Sequence, residues 1–546
     1  MNNPHYRGLG WIHLRWMWTS FHMGHYMPVT WMSLGLDHVL WGMNPAGYHL
    51  TSLLLHAVNA GLFYFLALRL LGPADGGEPP GAAPLRFFAA GFSALFFSLH
   101  PLRVESVAWV TERRDVVSGL FCLVSLLFYL RYVASPSGGR ARFVNYIASF
   151  VSYAVCLLSR ANLFVLPLLL LVLDVYPLRR FSKGVAGRDR LFWEKVPFAL
   201  IAAAAVVWGL EGLLQVNSSV SFARHGIFQR LALASFSAVF YVGKTVFPLR
   251  LSPLYEIPLR FSPWEARFVV SGAVVVLLSW QLWRRRRRWP AGVAAWISYL
   301  LLIAPTSGLF QRGIQIAADR YSYASCGGWA LLAGAALRWA MQKFPSVAWR
   351  RGVLAGAAAV SAVLGASTWA QTHVWRDSET LWRHVLRVQP HSAVAHYNLG
   401  VILSEQHRED EALRHWEETL RYDPGDADAY VQVGILYEER GRLSEAAELY
   451  KTALRWKPES VEAHFNLGIL LGKEGNLKGA EMHLHRALLL APRTAVVWHS
   501  LGRVLERQNK FDFAAECFRR ALSLEPARAD SRDALNDLLE KHPAKK

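Results

Sequence analysis

Up to residue 372 the chain alternates long apolar runs with short polar loops; beyond it, apolar positions follow a helical period under a 34-residue repeat. A bilayer-spanning helix needs about 20 mostly apolar residues. Ten runs fit: 47–72, 87–101, 116–133, 143–159, 161–177, 196–215, 266–283, 291–309, 324–341 and 352–372. A further apolar stretch, 227–247, holds Arg230 and Lys244 and stops at Pro248, which suits an interfacial or re-entrant helix. In the last third, glycines recur at Gly400, Gly434, Gly468 and Gly502, alanines at Ala412, Ala446, Ala480 and Ala514, and prolines at Pro424, Pro458, Pro492 and Pro526. Three columns in one register are a tetratricopeptide signature. Small residues let paired helices approach, and proline ends the second helix of each repeat. The repeats are 393–426, 427–460, 461–494 and 495–528, with a half repeat at 376–390 and a capping helix at 528–541. The pattern predicts an all-α protein: an extracytoplasmic interfacial segment (1–46), a polytopic transmembrane bundle (47–372) and a tetratricopeptide α-solenoid (373–546).

Charge divides at the same boundary. Residues 1–372 carry 34 Lys+Arg and 13 Asp+Glu, whereas 373–546 carry 25 and 27, so the formal +19 arises in the apolar part. Lys and Arg in short loops mark the cytoplasmic side. Such clusters are Arg131, Arg140 and Arg142; Arg179, Arg180, Lys183, Arg188 and Arg190; the run Arg284 to Arg288; and Lys343, Arg350 and Arg351. They make the basic charge topological, with no nucleic-acid partner. The loops 102–115, 216–226, 248–265 and 310–323 and the repeats then lie outside the cytoplasm. The N-terminus would also lie outside, yet residues 1–46 are rich in Trp and carry no signal peptide. This leads to the expectation of a first membrane helix not contained in the chain. Four cysteines, Cys122, Cys156, Cys326 and Cys517, have no spacing for zinc or a disulfide framework. No metal site is expected.

Polar residues beside membrane helices are costly and usually functional. Two runs stand out: His100-Pro101-Leu102-Arg103-Val104-Glu105-Ser106 with Thr111 to Asp115, and Ala318-Asp319-Arg320-Tyr321-Ser322-Tyr323. Glu105, Glu112 and Asp115 are general-base or ion-pair candidates. Arg103, Arg113 and Arg320 could grip a phosphate. A salt-bridged loop capping helix ends is the plainer alternative. In the solenoid, Asn398, Gln432, Asn466 and Ser500 recur at 34-residue spacing on the first helices, as hydrogen-bonding groups for a peptide backbone or as repeat consensus.

The stretches YMPVTWMSLGLDHVLWGMNPAGYHLTSLLLHAVNA, HPLRVESVAWVTERRDVVSGLF, VGKTVFPLRLSPLY and AADRYSYAS, followed by WRDSETLWRHVL at the start of the repeats, carry a family resemblance. The chain resembles the transmembrane and tetratricopeptide-repeat O-mannosyltransferases and their bacterial relatives, within the GT-C superfamily. The resemblance implies about eleven membrane helices, a sugar (mannose) carried on a polyprenyl phosphate, and transfer to Ser or Thr hydroxyls of proteins outside the cytoplasm. The family's His-Pro…Glu motif matches His100, Pro101 and Glu105; its Arg-x-Asp matches Arg113 and Asp115; its late acidic-Arg motif matches Asp319 and Arg320. Tyr26-Met27-Pro28 lacks the family's arginine, and its acidic pair has no counterpart, since no Asp or Glu precedes Asp37.

The expected roles follow. Glu105 or Asp115 is the catalytic carboxylate. Arg320, Arg113 and Arg103 hold the donor phosphate. His100, Asp319 and Tyr323 support them, and no cofactor beyond the lipid-linked sugar is implied. The partners are that lipid, acceptor polypeptides and the membrane: a bacterial inner membrane with periplasmic repeats, or an endoplasmic reticulum membrane with luminal ones. A non-enzymatic scaffold for envelope assembly is the alternative. A transporter would need more charges deep in the spans than Asp174 and Glu211 supply.

Overall fold

The computed structural model describes residues 3–72, 83–182, 184–215, 226–257, 261–309, 315–344 and 346–542. The expected loop 216–226 (Gly226 apart), Lys183 and the Arg188 side chain lie outside these. The chain forms two compact units, Met1–Arg376 and Asp377–Lys546.

All ten apolar runs of the first unit are helical: Pro45–Leu70, Ala83–Ser98, Arg113–Ala134, Arg140–Ser159, Leu166–Val175, Val196–Gln215, Ala266–Arg284, Pro290–Ile303, Gly327–Lys343 and Val347–Val374. Among the described residues, six helices are long and apolar enough to cross a membrane, or seven if the bent pair Ala83–Ser98 and Pro101–Ala108 forms one span. This is fewer than the ten runs, and proline explains much of the difference. Pro167 and Pro177 bracket a helix of ten residues, and Pro290 and Pro305 bracket one of fourteen. Pro101 turns the helix of the second run by 52°.

The 227–247 stretch forms a twenty-residue helix, Ile227–Val246. Both its ends touch one segment of chain: Arg230 donates to the Leu309 carbonyl (3.1 Å), and Thr245 Oγ1 lies 3.2 Å from Cys326 Sγ. It therefore lies across one end of the bundle. A two-stranded ribbon, Tyr255–Glu256 against Gln315–Ala317, closes that end. The N-terminal segment carries the helices Trp11–Thr19 and Pro28–Trp41, joined by a packed aromatic group of Tyr6, Trp16, His22 and Trp31. The core runs along helix Arg113–Ala134, where a methyl group on Gly119 would lie 2.7 Å from the Tyr323 ring.

In the second unit, eight helices from Ala393 to Leu524 form four antiparallel pairs, preceded by Ser378–Val388 and closed by Ala529–Lys541. The glycine column explains the close pairing. A Cβ at Gly400, Gly434, Gly468 or Gly502 would come within 2.5–2.9 Å of Trp416, Tyr450, Leu484 or Phe518 on the second helix of its repeat. Ser392, Asp426 and Ser460, at the same spacing, cap the first helices through their side-chain oxygens. The fold is an apolar helical bundle followed by a tetratricopeptide solenoid.

Candidate functional site

The turn at Pro101 and a second turn at Val110–Glu112 fold residues 100–115 into a knot over one end of the bundle. Glu105, Glu112 and Asp115 point into it. Arg320 enters from the turn Asp319–Tyr321, and Arg160 from the end of helix Arg140–Ser159. The Arg320 backbone N–H donates to Glu105 Oε2 (2.7 Å), and its guanidinium pairs with Glu105 Oε1. Arg320 Nε also lies 3.4 Å from Glu112 Oε1. Arg114 grips Glu112 with two N–H groups, Nε donating at 2.8 Å. Arg160 bridges Asp115 and Glu112. Ser106 Oγ donates to Asp115 Oδ2 (3.0 Å). Three carboxylates thus meet three guanidinium groups, and all three carboxylates are buried. Charges of both signs can be kept away from water here because each has an opposite partner and hydrogen bonds.

The frame around Arg320 is aromatic. Tyr241 brackets Ala318, donating to its carbonyl (2.8 Å) and accepting from its N–H (2.9 Å). Tyr255 donates to Asp319 Oδ1 (3.1 Å). Burial and then the Glu105 charge push the Asp319 carboxyl well above its usual range. The Arg320 guanidinium lies over Trp109, 5.3 Å from the ring centre.

The other expected residues lie apart from this cluster. Arg113 is fully buried but pairs with Asp37, and it donates to Ser52 Oγ (3.2 Å) and the Tyr48 carbonyl (2.6 Å). Its donors are committed to the fold, against the expectation of a phosphate grip. His100 Nε2 lies 3.1 Å from the Thr245 carbonyl and so carries the proton, while Nδ1 accepts from the Leu102 N–H. His100 thus fastens the helix break. Tyr323 shares its hydroxyl with His56 Nδ1 (2.9 Å) and Asn59 Nδ2 (2.8 Å). Arg103 is only 2% exposed, and its Nε and Nη1 have no hydrogen-bond partner. Its guanidinium faces the rings of Phe97 (5.4 Å) and Tyr323 (5.7 Å).

In the solenoid, Asn398 donates to the Val394 carbonyl of its own helix (2.7 Å), Gln432 bonds Tyr397, Asn466 is half-buried and Ser500 is buried. No group of metal-ligating side chains occurs among the described residues.

Sequence reasoning missed Arg160, Arg114 as the main partner of Glu112, and Asp37 as the partner of Arg113. Arg160 left a signal: it ends an apolar run at the basic-poor side, where the charge rule expects no arginine.

Tetratricopeptide-repeat profiles match residues 393–426 and 459–525, and a TPR repeat profile matches 436–475. The protein O-mannosyl-transferase TMTC2 of Mus musculus is 40% identical over 117 residues, 21% of this chain and 12% of that protein. The protein O-mannosyl-transferase Tmtc1 of Drosophila melanogaster is 23% identical over 71% of this chain and 53% of its own length. TMTC4 of Mus musculus is 24% identical over 71% of this chain and 57% of its own length. The chain spans about half the length of these longer matches. Among solved structures, the tetratricopeptide protein YrrB matches 29% of this chain and 82% of its own at 23% identity, with a TM-score of 0.27. MamA matches 27% of this chain and 81% of its own at 22% identity, with a TM-score of 0.25. With an apolar bundle, a repeat solenoid and this order of motifs along one sequence, the chain is similar over 71% of its length to protein O-mannosyl-transferases.

Proposed function

We propose that the protein transfers a sugar, mannose by analogy with its relatives, from a polyprenyl phosphate to Ser or Thr hydroxyls of proteins outside the cytoplasm. The observation that carries this reading is the buried knot in which Glu105, Glu112 and Asp115 meet Arg114, Arg160 and Arg320 at one end of the bundle. Sugar transfer to a hydroxyl needs a carboxylate to accept the proton as the new C–O bond forms. It also needs cationic donors for the charge that develops on the departing lipid phosphate. Both groups are present beside apolar helices, where a lipid-borne donor would present its head. Glu105 is the proposed base, and Asp115 the second candidate. Arg320, which holds both Glu105 oxygens, aims that carboxylate. The solenoid recruits the acceptor chain, and no metal or other cofactor enters this reading.

The test is transfer from polyprenyl-phosphate mannose to a Ser/Thr acceptor peptide by the purified chain in lipid. Glu105→Gln keeps the shape and two acceptor or donor sites, so the protein should stay folded while transfer falls by about 10²-fold or more. Undiminished transfer would remove Glu105 from the reaction.

The pairing of every carboxylate in the knot with an arginine favours a second reading. There the knot is structural, and the bundle anchors a repeat scaffold for envelope assembly. Client binding without any transfer by the wild-type chain would decide for it.

A further inference from the structure

Helix Ala266–Arg284 has 19 residues, about 28 Å at 1.5 Å per residue and close to the roughly 30 Å of a bilayer's hydrocarbon core. It is one of the six helices long and apolar enough to cross, and most of it faces away from the rest of the bundle. Val269, Val276, Trp280 and Trp283 lie exposed on one face. Apolar side chains left open in this way fit hydrocarbon, and tryptophan fits the level of the lipid headgroups. The stripe ends at Trp283, and Arg284 to Arg288 follow at once, all exposed.

Two of these arginines are held in place by the stripe itself. The Arg284 guanidinium lies over the Trp280 ring, 4.8 Å from its centre, and that of Arg286 over the Trp283 ring at 4.7 Å. A ring face holds a guanidinium by its plane and leaves the N–H donors open at its edge. Arg286 spends one of them, on Nη1, on the Trp283 carbonyl (3.0 Å). No carboxylate meets the run. Among the described residues none of the five arginines forms an ion pair, and the sequence holds no Asp or Glu between Glu265 and Asp319. Another basic loop differs: Arg142, Arg180 and Lys195 share the carboxylates of Glu194 and Asp174. Marking the cytoplasmic side takes positive charge alone. Guanidinium forks braced on rings and left without a carboxylate fit an anion that offers several oxygens.

We propose that Arg284 and Arg286, braced on Trp280 and Trp283, bind the phosphate group of an anionic phospholipid in the leaflet around this end of the helix. The stripe below them receives the acyl chains, which sets a lipid apart from a soluble phosphate or a nucleic acid. Arg285, Arg287 and Arg288 add attraction for the same leaflet, each basic residue near an anionic surface being worth about fivefold in affinity. The site is independent of the proposed transfer reaction and requires only that helix Ala266–Arg284 spans.

The full chain, purified in detergent and freed of bound lipid, is titrated with phosphatidylglycerol, phosphatidylcholine, inorganic phosphate and a short single-stranded RNA, and binding is read by native mass spectrometry and thermal shift. Phosphatidylglycerol should bind about tenfold more tightly than phosphatidylcholine, and more tightly than inorganic phosphate or RNA. Arg284→Gln combined with Arg286→Gln leaves Arg285, Arg287 and Arg288 to hold the topology. It should weaken phosphatidylglycerol by about 25-fold, about fivefold for each lost charge. Trp280→Leu combined with Trp283→Leu keeps all five arginines and an apolar stripe, and should weaken it by about threefold through loss of the bracing. All four side chains are exposed, so both variants should fold. Equal binding of the two lipids, or an unchanged affinity for phosphatidylglycerol in either variant, would overturn the proposal. Tighter binding of RNA than of phosphatidylglycerol would assign the run to nucleic acid, and tighter binding of inorganic phosphate would assign it to a soluble anion; each would overturn it too.

Discussion

At the scale of single residues, the sequence brought together arginines that the fold separates. Arg103, Arg113 and Arg320 looked alike because all three stand beside apolar runs with acidic neighbours. The segment 100–112 is two short turns and a five-residue helix, so helical spacing could not say where each side chain goes. Glu105 and Arg320, 215 positions apart, are both singled out by motif resemblance, but their pairing with each other is not legible in the sequence. Asp37 was invisible as a partner because it sits in a segment that reads as interfacial. Its burial makes a prediction. Both side chains of the Asp37–Arg113 pair are fully buried, and Thr51 Oγ1 donates to Asp37 Oδ1 (2.8 Å). Asp37→Ala strands a buried guanidinium and should destabilise the bundle by about 3–5 kcal/mol. Thermal unfolding in detergent would measure this, and combining Asp37→Leu with Arg113→Met should restore most of the loss. A stability equal to wild type in the single variant would contradict the placement of the pair.

At the scale of elements, the solenoid was almost wholly legible because its signal repeats. Glycine, alanine and proline columns each sample the same contact four times, and the packing of Gly434 against Tyr450 (2.6 Å to a built Cβ) shows what the glycine column encodes. Gly434→Ala should therefore cost about 1–3 kcal/mol through overpacking. The bundle was legible as apolar runs, but its breaks were not, since hydropathy does not register a proline bend. One element-level feature left no signal in the columns. His396 and His415 face each other with Nδ1 atoms 2.9 Å apart, and His464 and His483 repeat this two repeats later at 2.9 Å. The first histidine of each pair also lies 3.1 Å from a proline carbonyl through Nε2. That nitrogen therefore carries the proton, and Nδ1 accepts from the second ring. Each pair ties the first helix of its repeat to the second. Burial, with its partner His396 and Arg383 adding repulsion, pushes His415 down to about 4, and His396, His464 and His483 are lowered in the same direction, chiefly by burial. Arg414, Lys451 and Arg486 add positive charge nearby, whereas Glu411 and Glu418 oppose it. In the unfolded chain these rings protonate near 6.5. Between that value and about 4 the unfolded chain binds more protons than the folded one, so stability falls as pH falls through this window and levels off below it. Hydrogen exchange of helices Ala393–Glu405 and Glu409–Tyr422 in the full chain, corrected for intrinsic rates, should show protection falling from pH 7 to pH 4. The double variant His396→Tyr, His415→Leu copies repeat 2, which has Tyr430 and Leu449 at these positions, and should flatten that profile. A profile unchanged by the double variant would exclude the pair as its cause.

At the scale of the whole molecule, charge and site occupy opposite ends of the same helices. Helix Arg113–Ala134 begins in the carboxylate–arginine knot and ends beside Arg131, and its neighbour returns from Arg140 and Arg142 to Arg160 in the knot. Helix Ala266–Arg284 runs into the exposed Arg285–Arg288. Helix Val347–Val374 starts beside Arg350 and Arg351 and ends three residues before Asp377, where the repeat unit begins. If basic clusters stay in the cytoplasm, the knot lies on the translocated face, and a spanning helix Val347–Val374 delivers the repeats to that face too. Under that rule the side of the repeats follows from the last helix and its flanks alone, however many of the ten apolar helices cross. It makes chemical sense of the proposed reaction: acceptor-binding repeats and a sugar-transfer site must meet the same aqueous compartment. A reporter that works only in the cytoplasm, fused after Pro526, should stay silent, while the same reporter fused within Arg284–Arg288 should be active. Activity after Pro526 would place the repeats on the basic side of the membrane, apart from the knot, and the recruitment of acceptors by the repeats would fall with it.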